Sequence, residues 1–118
     1  MTPHPWPMRL AFQASKRSLS IAYDDGLEVQ IPFELLRVES PSAEVQGHAP
    51  HQKTLVHGKQ AVQVLEADRV GQYAVRLKFD DGHNSGIYSW AYLRELGENA
   101  DEMMAEYIGR LTQAQLAR

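Results

Sequence analysis

Five histidines and no cysteine set the metal and nucleophile chemistry open to this 118-residue chain. His48 and His51 stand three apart with His57 close by, and His83 follows Asp80-Asp81-Gly82. Imidazoles at such spacing suit zinc or iron, so a metal-binding protein that uses these loop histidines with His83 is one reading. The other is a solvated loop, because an unanchored segment must lose conformational entropy to form a site. Asp80 and Asp81 could act as an acid/base pair or hold a cation, yet adjacent turn aspartates ordinarily serve the turn itself. Ser85, His83 and an aspartate supply the residue types of a hydrolytic triad. Residues this close in one turn seldom meet its geometry, and His83 reads as a turn residue hydrogen-bonding locally. Tyr88 and Tyr92 flank Trp90. The three are expected to divide between core and surface, with Trp90 in the core, and the two tyrosines could form an exposed aromatic contact patch. Met103-Met104 reads as packing.

Bulk composition narrows the classes. A hydrophobic content of 43% supports a real core in one compact domain. The net charge of −3 argues against duplex nucleic acid as a partner. Without cysteine there are no disulfides, thiolate metal sites or cysteine nucleophiles. No apolar run approaches the ~20 residues that span a bilayer, and the start lacks the features of a signal peptide. The expectation is a cytoplasmic protein that engages neither membrane nor nucleic acid.

Several elements must position these residues. Alternating prolines make 1–8 an extended arm, from which Trp6 can pack back on the domain. A first strand is expected over 9–13. Leu19, Ile21 and Tyr23 alternate, Asp24-Asp25-Gly26 is a hairpin turn, and Leu27, Val29 and Ile31 resume the alternation. Pro32 opens a short helical turn over 32–38. The segment 39–60 reads as a long surface loop with one helical turn at 42–46. Strands are expected over 61–66 and 73–79, the second with Tyr73, Val75, Leu77 and Phe79 inward, and 68–72 is expected to turn the chain. Ser89 can cap a helix that carries Trp90, Leu93 and Leu96 and closes at Gly97. Asn99 with Glu102 has capping-box spacing. Met104, Tyr107, Ile108 and Leu111 then form the apolar stripe of a C-terminal helix.

The stretch 21–38 is echoed by 77–96. Each runs strand, aromatic, Asp-Asp-Gly, return strand and short apolar helix, with the second return arm about two residues longer. Asp-Gly turns recur by chance as well as by duplication. The fold class expected is α+β: a small, mostly antiparallel sheet built from two ββα-like units, plus the C-terminal amphipathic helix.

Two boxes carry a more specific signal, Arg37-Val38-Glu39-Ser40-Pro41-Ser42-Ala43-Glu44 and Asp80-Asp81-Gly82-His83 followed by Trp90-Ala91-Tyr92-Leu93. Together they resemble the bacterial domain family related to the N-terminal domain of γ-butyrobetaine hydroxylase, over 10–97. The resemblance divides the chain into the arm at 1–8, the domain at 9–97 and the helix at 98–118. In the hydroxylase it implies a zinc held by three cysteines and one histidine, a closed structural site. Those positions are Ser40, Ser42, Val45 and His83 here, so the metal is expected to be lost and no cofactor is expected. Oxygenase chemistry is not implied, since none of His4, His48, His51, His57 or His83 is followed two residues on by Asp or Glu.

What the resemblance implies is a non-catalytic accessory or protein-interaction domain with a protein partner. Iron–sulfur cluster assembly or an oxygenase-type enzyme are its associations. The expected interaction surface is His83, Ser85, Tyr88, Tyr92 and His48.

Overall fold

A computed structural model describes residues 6–118, leaving His4 and most of the proline arm outside the described residues. The architecture is α+β, with two small antiparallel sheets instead of one. Strands β1 (Pro7–Gln13), β2 (Ser18–Tyr23) and β3 (Glu28–Pro32) form the first, in that order. Helices α1 (Phe33–Val38) and α2 (Ala43–Gln46) follow. Strands β4 (Val64–Val70), β5 (Ala74–Phe79) and β6 (Gly86–Ser89) form the second sheet, followed by α3 (Trp90–Glu98) and α4 (Ala100–Gln113). The echo is therefore part of a larger repeat, three strands and two helices in each unit. The second return arm is one residue longer, not two: 27–32 lead from Gly26 to Phe33, and 83–89 from Gly82 to Trp90.

The central hairpins follow from alternation. Leu19, Ile21 and Tyr23 of β2 and Val29 and Ile31 of β3 are all buried, as are Val75, Leu77 and Phe79 of β5. Gly26 and Gly82 hold φ of 91° and 93° at equivalent turns, where a side chain would be strained. Helix α1 is a real helix, seating Phe33, Leu35, Leu36 and Val38 in the core. Trp6 packs back as expected, stacking on Tyr73 with ring centroids 5.6 Å apart.

Several expectations need correction. The first strand begins at Pro7, inside the expected arm. Strand β4 starts later than expected and runs through 68–70, which had read as a turn; the turn is at 71–73, where Gly71 takes φ of 58°. Tyr73 therefore stands at the turn and is 68% exposed, not inward. Trp90 is half-buried, at the edge of the core. Helix α3 does not close at Gly97 but continues to Glu98. The capping box does not form, because the Asn99 amide donates back to the Glu95 carbonyl at 2.8 Å.

The two units hold each other reciprocally. Aligning them on their first helices sets Leu36 against Leu93 and Arg37 against Arg94. Both leucines are fully buried. Arg37 pairs with Asp81 in the turn of the other unit at 2.7 Å, and Arg94 pairs with Asp25 in the opposite turn at 2.8 Å. The Arg94 guanidinium holds the Asp25 carboxyl below its usual range. Tyr23 donates across the junction to the Trp90 carbonyl at 3.1 Å. That two ion pairs obey one symmetry is stronger support for duplication than a shared Asp-Gly turn.

Candidate functional site

The end of α1 and the turn before β6 bring together side chains 43 residues apart in the chain. Ser40 Oγ and His83 Nε2 are 2.8 Å apart in a buried hydrogen bond. His83 Nδ1 meets a carboxylate oxygen of Glu44 at 2.9 Å. A carboxylate only accepts, so Nδ1 carries the hydrogen, and in a neutral imidazole Nε2 then accepts from the Ser40 hydroxyl. Ser42 and Ser85 hydroxyls bond each other at 2.7 Å. Ser42 also caps α2 by accepting the Glu44 N–H, and the Ser42 N–H donates to Ser40 Oγ at 3.3 Å. His83 packs against Phe79, and its side chain is 1% exposed.

Asp81 anchors this turn. It accepts Arg37 and Lys59, each at 2.7 Å, and the His83 backbone N–H at 3.0 Å. Burial pushes its carboxyl up, but Lys59, the His83 N–H and Arg37 outweigh that and bring it down to about 2. The stability this confers is full above the ordinary aspartate value of 3.8 and is lost as pH falls through about 2. Allowing for solvent screening, Asp81→Asn is expected to cost about 1–2 kcal/mol at pH 7. The deficit should shrink towards zero as pH approaches 2, and urea midpoints across that range check it.

The junction has the contacts of a serine–histidine–carboxylate set, Ser40–His83–Glu44, which sequence spacing had not revealed. As a nucleophile it fails on access. Ser40 is fully buried. Its hydroxyl packs against the β6 backbone, 2.5 Å from where a Cβ on Gly86 would lie. Ser85, the serine considered from sequence, bonds Ser42 rather than His83.

The expected interaction residues divide. Ser85 and His48 are exposed, and Tyr92 is half-buried, donating to the Glu39 carbonyl at 2.6 Å. His83 and Tyr88 are buried, which corrects the expected surface. Tyr88 faces inward because Gly86 and Tyr88 share one side of β6, and its hydroxyl donates to the Leu36 carbonyl. Burial pushes both the Tyr88 and Tyr92 phenols up. His83 is no locally bonded turn residue, since its ring reaches Ser40 and Glu44 in the other unit. His48, His51 and His57 are all exposed. Among the described residues no three His, Asp or Glu side chains converge as a metal site, so the loop histidines do not join His83.

The zinc that the resemblance implies in the hydroxylase does not fit the residues here. Ser40 and Ser42 offer neutral hydroxyls, and Val45 offers a buried hydrocarbon. Structural zinc needs anionic thiolates or imidazoles.

Two linked units of strands and helices, closed at one seam by imidazole and hydroxyls, make up a small α+β domain. The chain belongs to the γ-butyrobetaine hydroxylase-like N-terminal family, whose model matches residues 10–94. Its fold is also that of solved relatives. One solution NMR structure is 41% identical, covers 100% of this chain and 90% of its own, and has a TM-score of 0.84. Another is 38% identical over 98% and 91%, with a TM-score of 0.83. A crystal structure of a DUF971-family protein of unknown function from Acidithiobacillus ferrooxidans is 40% identical over 77% and 91%, with a TM-score of 0.66. The first two likenesses extend beyond the family model through α4. Among curated proteins none matches.

Proposed function

We propose that this domain is a non-catalytic protein-interaction module and that its contact surface is the outer face of the second sheet. The observation that carries this reading is that Val70 and Ile87 stand exposed on this face, on either side of the Arg76–Asp68 pair. Val70 lies opposite Ala74, and Ala74 opposite Ser89. Ile87 shares the Ser89 face of β6. Tyr73, in the turn between β4 and β5, stacks on Trp6 beside this sheet. Tyr73 is 68% and Ile87 48% exposed, although neither needs solvent. Exposed aromatic and branched side chains are enriched at contact sites. The sealing of Ser40 and His83 supports the non-catalytic part.

The surface first expected around His83 and Tyr88 is replaced by this one. The resemblance supplies two partner classes to try, an iron–sulfur cluster carrier and an oxygenase-type enzyme, both in the cytoplasm. No helix among the described residues is long and apolar enough to cross a membrane.

A photo-crosslinking residue at position 73 or 87, introduced in the native cell, is expected to give one discrete adduct. The same residue at position 101, on α4, should give none. Tyr73→Ser with Ile87→Ser should abolish the adduct formed from position 70 and leave the melting temperature unchanged. Equal labelling from 73 and 101, or none from 73 and 87, would reject the surface.

A further inference from the structure

The seam at Ser40 and His83 has a twin. The alignment that sets Arg37 against Arg94 also sets Ser40 against Gly97, and Gly86 against Val29. At the first seam Ser40 Oγ lies 2.5 Å from where a Gly86 Cβ would be. At the twin, a Gly97 Cβ would lie 2.4 Å from Val29 Cγ2 and 2.5 Å from its Cβ. Each seam therefore admits one side chain. The helix side supplies it in one seam and the strand side in the other. Hydrocarbon fills the twin, while hydrogen bonds fill the seam at His83.

We propose that in this chain the His83 seam is a metal-independent latch, in which the Ser40–His83–Glu44 and Ser42–Ser85 hydrogen bonds fasten one unit to the other in place of an ion. Two ligands at about 2.1 Å on a tetrahedral ion stand roughly 3.4 Å apart. Ser40 Oγ and His83 Nε2, at two of the four ligand positions, are only 2.8 Å apart. No ion sits between donors so close. Ser40 Oγ is also packed where a Cβ on Gly86 would lie, 2.5 Å from it. Both nitrogens of the His83 ring are also engaged. A buried polar group gains most when all its partners are present, so a latch of this kind is stable only when closed.

The test uses the full chain. Cobalt(II) added to the purified protein is expected to give no tetrahedral d–d bands, and EDTA should leave the melting temperature unmoved. His83→Gln should lower that temperature by roughly 4–8 °C. Ser85→Ala, at the exposed rim, keeps the test open if His83→Gln fails to fold. It should speed amide exchange at Ser42–Gln46 while β2 and β3 stay protected. One equivalent of cobalt bound with tetrahedral bands that vanish in His83→Gln would overturn the latch. So would a melting temperature lowered by EDTA, a His83→Gln variant that melts like the parent, or unchanged exchange in Ser85→Ala.

Discussion

Gly97→Ala is expected to destabilise the protein by about 2 kcal/mol, against the helix-propensity rule. Glycine inside a helix ordinarily costs about 1 kcal/mol relative to alanine, so the same change at an open helical position stabilises. Here the added methyl would meet Val29 at 2.4 and 2.5 Å, and one of those atoms is a Cβ close to the backbone. The collision cannot be relieved by a rotamer change, so α3 or β3 must move. Overpacking of this kind costs about 1–3 kcal/mol, and here its upper end outweighs the helical gain. The melting temperature should fall by roughly 8–15 °C. In a Val29→Gly background the methyl has space, and the same substitution should become neutral or favourable. A rise in melting temperature for Gly97→Ala alone would show that the close approach is not real.

Gly86→Ala is the matching test at the other seam, and is expected to cost about 2–3 kcal/mol. The new Cβ would lie 2.5 Å from Ser40 Oγ and 3.0 Å from the Tyr88 ring. Ser40 can move aside only by releasing His83, which leaves a buried imidazole nitrogen without its partner, at about 1–3 kcal/mol. Alanine suits a strand better than glycine, so propensity alone predicts a gain. Ser40→Gly removes the clash but leaves His83 unpartnered, so it should recover only the overpacking part of the loss, about 1 kcal/mol. Urea midpoints of the two single variants and the double variant measure the coupling, and additive effects would contradict it.

The parts of this fold that local chemistry controls were readable from sequence. Strands β2 and β5 declare themselves by alternation, Asp-Gly marks both turns, and the Tyr107–Leu111 stripe marks α4. Tyr73 was misplaced because the apolar alternation of β5 continues by chance into the turn. Tyr88 was misplaced because its inward neighbour is Gly86, which leaves no mark in an apolar pattern although it shares the buried side of β6. Strand β4 was placed too early because Glu66, Asp68 and Arg69 lie exposed on an edge strand and carry no burial signal. The Ser40–His83 bond spans 43 residues, so no local rule points to it. Only the family resemblance set the two residues at one site, and it could not foresee Glu44 as the second partner of the ring. Arg37 and Arg94 were both visible in the echo, but a gap one residue too long hid their equivalence.

The crossed ion pairs have a thermodynamic consequence. Arg37 belongs to the first unit and its aspartate to the second, while Arg94 and Asp25 are disposed the other way round. Melting either unit would strip the survivor of a counter-ion and bare its share of a common core. A half-folded species is therefore disfavoured, and the repeat is expected to unfold as a single cooperative body.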